Sequence, residues 1–229
     1  LISPEANPAL LIDPADARVV GISANAFAGD YGLLTENKNL PVLQSANWKG
    51  YRIVAGTVGH SAVIDTLVKR GLINADSLKG QWERFSIQVT NNPFFPNTRL
   101  LIIAGSDRRG TAYGLFHLSR LMGVSPFVWW ADVIPEKKKS IWVRGIYLSS
   151  RPSVQFRGIF INDEDWGLQP WAARQMDTVI KDIGPHTYAK VFALMLRLKA
   201  NYIWPAMHPC TRAFYYYKEN PKVADDYAI

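Results

Sequence analysis

Cysteine is almost absent from the sequence: Cys210 is the only one among 229 residues. An intramolecular disulfide and a zinc site built from cysteines are therefore excluded. No apolar run reaches the roughly 18 residues that a membrane-spanning helix needs, so no membrane contact is expected. The chain begins with Leu1, and no charged region followed by an apolar one marks a secretory signal, so these residues leave export open.

Acidic residues are fewer than basic ones, 19 against 26, which gives a formal net charge of +7. The basic residues are mostly scattered. The one dense run, Lys137-Lys138-Lys139, follows a predicted turn and indicates a solvated linker. Nucleic acid is not an expected partner, because no nucleic-acid-binding motif accompanies the charge. A basic balance would also suit an acidic polysaccharide.

Apolar residues make up 48% of the chain, enough to bury a core, and eight residues are tryptophan. Tryptophan fills cores, but its flat face also stacks against sugar rings. Trp166 and Trp204 follow or end predicted strands, where a sugar-binding role is as well supported as a structural one.

The first region has the pattern of a small mixed α/β domain. Hydrophobic spacing predicts strands at 51–57, 84–90 and 99–104 and helices at 61–70 and 110–121. A short strand is predicted at 18–22 and a further strand at 141–147. The junction at 149–152 divides the chain into predicted domains 1–150 and 151–229.

Two glycine-bearing turns, at 56–60 and 104–110, lead from strands into helices. Amides at a helix start bind phosphate, which leaves a nucleotide-binding α/β protein as one alternative. Neither turn has the complete G-x-G-x-x-G pattern or the lysine of a P-loop. We therefore interpret His60 as part of an ordinary turn. Asp107 and an arginine of the second turn are expected either to tie that turn together or to face the neighbouring domain.

The second region predicts a right-handed β–α–β unit, with strands at 154–161 and 201–204 and a helix at 184–199. The first strand is apolar on both faces in its second half, which is typical of strands buried in a parallel sheet. Residues 167–183 are predicted to be a loop, and the aromatic segment 214–217 a loop that faces a partner surface. The region is far shorter than the roughly 250 residues of a (β/α)8 barrel, so such a barrel would be incomplete.

A cluster of polar and acidic residues, Asn162, Asp163, Glu164 and Asp165, follows the first of these strands. Crowded carboxylates oppose each other's ionisation, which favours a protonated acid beside an ionised one. The acid can protonate a glycosidic oxygen while the ionised group activates water. An acidic helix cap or a solvated loop is an equally open alternative.

His208 follows the neighbouring predicted strand and would approach the same edge, although a lone histidine is more often a packed or surface residue. His208 and Cys210 are too few to predict a metal site. No metal and no cofactor are therefore expected.

Four longer stretches of the chain are more specific than any short motif: GSDRRGTAYG (105–114), GVSPFVWWADV (123–133), FRGIFINDEDW (156–166) and NYIWPAMH (201–208). In this order they resemble glycoside hydrolase family 115, the xylan α-1,2-glucuronidases. The resemblance extends over roughly 51–208.

The resemblance implies the fold class: a small amino-terminal mixed α/β domain followed by the first βα units of a (β/α)8 catalytic barrel. It also implies removal of glucuronic acid or its 4-O-methyl ether from xylan by an inverting mechanism, without a redox cofactor. The catalytic residues implied in this segment are Asp163 and Glu164. Those implied to bind the sugar are Asn162, Asp165, Trp166, Trp204 and His208. Barrel strands three to eight are missing, and a second catalytic carboxylate with them, so the segment alone is expected to be inactive.

The implied partners are glucuronoxylan or aldouronic acid oligosaccharides, the rest of the barrel with carboxyl-terminal domains, and a second copy in a homodimer. The polysaccharide substrate implies a secreted or periplasmic enzyme. Three alternatives remain besides this function: a hexosaminidase or other α-glucuronidase with the same domain order, a non-catalytic sugar-binding module, and the nucleotide-binding protein.

Overall fold

A computed structural model of the chain describes residues 8–36, 40–45, 52–205 and 208–229. The chain divides into two compact units, Leu1–Ser153 and Val154–Ile229, and each is described by itself. Within the described residues, no helix is long and apolar enough to cross a membrane.

The first unit is built from six strands and three helices in its described part. In chain order these elements are β1 (Leu10–Leu11), α1 (Arg18–Leu34), β2 (Val42–Leu43), β3 (Ile53–Thr57), α2 (Ala62–Lys69), β4 (Phe85–Asn91), β5 (Arg99–Gly105), α3 (Arg108–Met122) and β6 (Ile146–Leu148).

These strands form one mixed sheet in the order β2-β1-β3-β5-β4-β6. The first four strands of that order run parallel, whereas β4 pairs antiparallel with both β5 and β6. All five residues of β3 are buried, so the hydrophobic centre of the unit lies on this strand and its neighbours. The predicted mixed α/β fold of this region is confirmed.

The core of the first unit joins apolar side chains from the sheet to helix α2. Val54 from β3, Ile102 from β5 and Leu67 from α2 are each fully buried in one cluster. Full burial of such a side chain contributes about 1.5–3 kcal/mol. Helix α3 packs against β5. A Cβ atom added at Gly114 would lie 2.7 Å from the Ile103 side chain, so the missing side chain permits this close approach.

Both central helices begin and end at residues suited to those positions. The Ser61 hydroxyl accepts from the Ile64 N–H at the start of α2, and the Asp107 carboxylate accepts from the Gly110 N–H at the start of α3. Helix α3 ends at Gly123, whose φ of 106° is in the left-handed region that glycine adopts without strain. The caps make helices α2 and α3 predictable, and the hydrophobic spacing does so for these helices and for strands β3, β4 and β5. All five elements are confirmed within one or two residues at each end.

The prediction of a strand at 18–22 is wrong, because these residues begin the 17-residue helix α1. The five apolar letters are too short a window to show the helical period. Over the whole helix the buried residues recur at three- and four-residue spacing, as Val20, Ala24, Phe27, Tyr31 and Leu34. The strand predicted at 141–147 is also displaced, since only Ile146–Leu148 pairs with the sheet.

The second unit contains a two-stranded parallel sheet and three helices in its described part. Its elements are β7 (Gly158–Phe160), α4 (Leu168–Gln175), α5 (Pro185–Arg197), β8 (Tyr202–Trp204) and α6 (Glu219–Asp226). The aromatic core of this unit lies around α5, where Tyr188 and Phe192 stack at 5.8 Å between ring centroids and Phe214 packs edge-on against Tyr188 at 4.8 Å.

The parallel pairing of β7 with β8 and the intervening helix α5 are confirmed. Three predictions for this unit need correction. Strand β7 is exposed rather than buried, since within the described residues it pairs with β8 alone. Residues 167–183 include helix α4 rather than being all loop. The aromatic segment forms a 3-10 turn at Phe214–Tyr216 whose first residue is buried within the unit.

Candidate functional site

The candidate site lies where the two strands of the second unit end. Phe160 of β7 is opposite Trp204 of β8, and the Ile161 N–H donates to the Trp204 carbonyl at 2.9 Å. Because parallel strands end at the same edge of a sheet, the segments that follow β7 and β8 start side by side. These are the acidic cluster from Asn162 to Asp165 and the segment that contains His208. Residues 206 and 207 lie outside the described residues.

The opposite ends of the two strands are fixed by a side-chain network. The Arg157 guanidinium donates from Nε to the Lys199 carbonyl at 3.0 Å and from Nη1 to the Val154 carbonyl at 2.8 Å. Asn201 accepts from the Arg157 N–H at 3.0 Å and donates to the Gln155 carbonyl at 2.8 Å. These bonds hold the starts of β7 and β8 together, which keeps their carboxyl ends in register.

Asp163 is buried, with only 3% of its surface exposed. Its two carboxylate oxygens accept from the His208 N–H, at 3.1 and 2.9 Å. The Thr211 hydroxyl donates to one of the same oxygens. The Cys210 thiol donates to the Asp163 carbonyl at 3.1 Å. The structure therefore brings Asp163 and His208 together, as the sequence predicted of the two strand ends, and it adds Cys210 and Thr211.

The Cys210 thiol lies between Asp163 and the His208 ring, with its sulfur 3.3 Å from His208 Nδ1. Desolvation first, and then the negative charges of Asp163 and Asp165, raise the pKa of this thiol. The thiol therefore stays protonated and keeps donating to the Asp163 carbonyl. His208 itself is exposed.

The other members of the acidic cluster are more accessible than Asp163. Glu164 is half-buried, while Asn162 and Asp165 are exposed. Within the described residues, the Glu164 carboxylate has no hydrogen-bond partner. Trp166 is 82% exposed. Glu164 and Asp165 are thus the carboxylates of this strand end that a substrate can reach directly.

Trp204, at the end of β8, is 57% exposed. Its indole N–H donates to the Tyr202 hydroxyl at 2.5 Å, and its ring packs edge-on against Phe160 at 6.1 Å between centroids. These two contacts fix the ring while leaving much of its surface accessible. A fixed and accessible indole is suited to stacking against a sugar.

A second buried carboxylate, which the sequence gave no reason to single out, supports the segment after His208. Asp182 is 5% exposed and accepts from the Arg212 N–H and from the Tyr217 hydroxyl, each at 3.0 Å. Desolvation, followed by the hydrogen bond to Asp182, raises the pKa of Tyr217 to about 12. The sequence carries no signal for the roles of Asp182 and Thr211, because these roles depend on contacts between segments that are distant in the chain.

The described residues hold no group of three or more side chains able to bind a metal ion. The helix starts of the first unit also offer little to a phosphate. The carboxylates of Asp13 and Asp107 already accept from the N–H groups of Ala62 and Gly110, each at 2.7 Å. These two helix-start amides are therefore not available to a phosphate, which counts against the nucleotide-binding alternative.

The strand ends carry carboxyl groups and an exposed tryptophan. Such groups at the carboxyl ends of parallel strands are typical of enzymes that cleave glycosidic bonds. The comparisons with known proteins agree with that class. The family model for glycosyl hydrolase family 115 matches residues 149–229. A solved family GH115 4-O-methyl-α-glucuronidase with specificity for decorated arabinogalactans is 39% identical, with a TM-score of 0.83, over 97% of this chain and 28% of that one.

The chain therefore belongs to glycosyl hydrolase family 115, as its sequence motifs implied. It spans 28% of the length of the family GH115 structure. The solved protein CpGH84D is 11% identical, with a TM-score of 0.53, over 97% of this chain and 33% of that one, which is a likeness of fold alone. No curated protein matches the chain significantly.

Proposed function

We propose that the protein containing this segment is an α-glucuronidase that removes glucuronic acid or its 4-O-methyl ether from xylan. Family membership supports a glycoside hydrolase, and the 39% identical structure is a 4-O-methyl-α-glucuronidase. The observation that carries the proposal is the contact between Asp163, after β7, and His208, after β8, at the edge of the sheet where Trp204 ends β8. An acid able to protonate a glycosidic oxygen and a ring able to stack on a sugar lie at one edge of a parallel sheet.

We propose that β7 and β8 are the first two strands of a (β/α)8 barrel and that residues 1–150 form an α/β domain preceding it. The parallel pairing and the intervening helices are the repeating unit of such a barrel. Phe160 and Trp204 are 53% and 57% exposed, which leaves apolar surface on both strands for further strands and helices to cover.

In the proposed inverting mechanism, an acid protonates the leaving oxygen while a carboxylate on the other side of the sugar activates water. The two carboxyl groups must lie about 6.5–9.5 Å apart to admit that water. Asp163 and Glu164 are adjacent in one strand end, so this segment supplies one member of the pair and later strands supply the other. Asn162, Asp165, Trp166, Trp204 and His208 are the proposed sugar contacts, and the segment alone is inactive.

A second candidate substrate is the glucuronic acid side chain of decorated arabinogalactan. The specificity of the 39% identical relative for decorated arabinogalactans favours it. Both candidates are extracellular polysaccharides, which supports the proposal of a secreted or periplasmic enzyme.

The test is an activity assay of the protein with its complete catalytic region. Release of glucuronic acid from aldouronic acids, glucuronoxylan and decorated arabinogalactan would be quantified by ion chromatography, with N-acetylhexosaminides as the competing substrate class. Proton NMR of the first product formed would report the anomer: an inverting enzyme acting on an α-linkage releases the β-anomer. If no glucuronic acid appears from any of these substrates, the proposed function is wrong.

Glu164→Gln provides the matching variant, because it removes the accessible carboxylate while keeping its shape. General acid–base catalysis contributes about 10²–10⁴-fold, and a loss of that size is expected. Glu219→Gln, in the exposed first turn of α6, is the control and should keep full activity.

A further inference from the structure

The Asp163 carboxylate is committed to the chain itself. A carboxylate with 3% of its surface exposed needs hydrogen-bond donors, and among the described residues these are the His208 N–H and the Thr211 hydroxyl. Both donors belong to residues 208–211, which the Thr211 N–H closes into a turn by donating to the His208 carbonyl at 3.0 Å. Asp163 therefore ties the end of β7 to this 208–211 turn.

Glu164 is the contrasting neighbour. Successive residues of an extended strand end diverge in direction, so one of the two can face inward while the other faces solvent. The half-buried Glu164 carboxylate has no partner among the described residues, whereas both Asp163 oxygens are occupied. Asp163 is therefore the carboxylate that holds the chain, and Glu164 is one that a sugar can approach.

The 208–211 turn also sets which nitrogen of the His208 ring carries the proton. The Cys210 thiol has one hydrogen, which it donates to the Asp163 carbonyl at 3.1 Å. For the 3.3 Å contact with the Cys210 sulfur to be a hydrogen bond, His208 Nδ1 must be its donor. In the neutral ring, Nε2 then has a lone pair and can accept from a sugar hydroxyl.

We propose, resting on the glycosidase function above, that Asp163 is a positioning residue and that Thr211 and Cys210 assist it. The buried carboxylate holds the 208–211 turn, and the turn presents His208 to the sugar with Nε2 as acceptor. Asp163 acts on the substrate through His208 and not by direct proton transfer.

The test is a mutant cycle in the protein with its complete catalytic region. Thr211→Val keeps the shape of the side chain and removes its hydroxyl. Loss of one hydrogen bond to a charged group lowers kcat/KM by about 10- to 100-fold. Thr211→Ser restores the hydroxyl and should recover activity to within about 3-fold of the wild type. Thr178→Val, an exposed threonine of the same unit, should change nothing.

A readout specific to positioning comes from the His208→Ala background. If the turn acts through His208, Thr211→Val and Asp163→Asn each lower kcat/KM in the wild type but add less than about 3-fold to His208→Ala, because coupled residues are not additive. Undiminished effects in that background, or a Thr211→Val variant with wild-type activity, would overturn the proposal.

Failure of the glycosidase function is distinguishable from failure of the positioning role. A wild-type protein that releases no sugar acid refutes the function and any catalytic role for the turn. The tie itself is then read from hydrogen exchange at the His208 amide, which should be slow in the wild type and at least about 10-fold faster in Thr211→Val. Equal exchange rates would refute the tie as well.

Discussion

Replacement of Asp177 by asparagine should loosen the start of helix α5. Asp177 is 3% exposed, and its Oδ2 accepts from the N–H groups of Gly184 and Thr187 at 3.1 and 2.9 Å and from the Thr187 hydroxyl at 2.5 Å. Its Oδ1 accepts from the His186 N–H at 3.1 Å. This aspartate, seven residues before the Gly184 N-cap, therefore caps a helix whose own N-cap residue has no side chain.

The expected cost follows from these bonds. Asparagine keeps one acceptor oxygen and points an amide NH2 at the donors that faced the other, so at least one buried N–H loses its partner. That costs about 1.5–3 kcal/mol for a bond to a charged group. Loss of the negative charge at the helix start adds about 0.3–1 kcal/mol. The total is about 2–4 kcal/mol, which corresponds to an approximately 30- to 700-fold larger equilibrium constant for local opening.

Amide hydrogen exchange at Gly184, His186 and Thr187 measures that opening directly and does not require two-state unfolding of a multidomain protein. The matched control is Asp76→Asn, an exposed aspartate of the first unit, which should leave these rates unchanged. Protection at the three amides that is the same in Asp177→Asn as in the wild type would refute the capping role.

Two further predictions concern the neighbouring segments of the second unit. The pKa of Tyr217, raised to about 12 from 10.0, makes its contribution to stability complete below pH 10 and lost as the pH rises through about 12. Absorbance at 295 nm should show a tyrosine ionisation near pH 12 that Tyr217→Phe removes and that Asp182→Ala moves to lower pH. An unchanged titration in both variants would contradict this. Gly158→Ala should lower the thermal midpoint, because its Cβ would overlap the Tyr202 carbonyl oxygen across the β7–β8 pair. Gly167→Ala is the control and should leave the thermal midpoint unchanged, because a Cβ atom at Gly167 has no neighbour within 4 Å. Equal midpoints for Gly158→Ala and the wild type would contradict the close approach of β7 to β8.

The sequence predicted the centre of the first unit because several local signals agree there. Apolar period, an N-terminal cap and a C-terminal glycine all mark α3, and β5 is a continuous apolar run between turns. The helices α4 and α6 were missed for a shared reason. Each has a proline as its third residue, Pro170 and Pro221, and such a residue suggests a loop. In the first turn of a helix the proline is tolerated, because the N–H it lacks would have no intrahelical partner.

The sequence predicted which residues of the candidate site lie near one another, but not which of its acids is buried and which is accessible. The acids after β7 and His208 after β8 follow from strand order alone, since parallel strands end at one edge. Which acid is buried depends on a hydroxyl 48 residues downstream, at Thr211. A pairing of that kind leaves no periodic or spacing signal in the chain, so it becomes visible only when the two loops are placed in space.

The acids of the second unit fall into a buried group, which binds main-chain N–H groups, and an accessible group. Asp163, Asp177 and Asp182 are each at most 5% exposed, and each accepts main-chain N–H bonds from a segment later in the chain. A carboxylate saturated in this way is a fixed part of the fold, since moving it toward a substrate would strand several buried donors. Glu164 and Asp165 are not buried in this way, and they lie at the same strand end as Asp163. The number of acids at a strand end therefore exceeds the number available for chemistry, and we expect the catalytic carboxylate proposed for this segment to be one of the accessible ones.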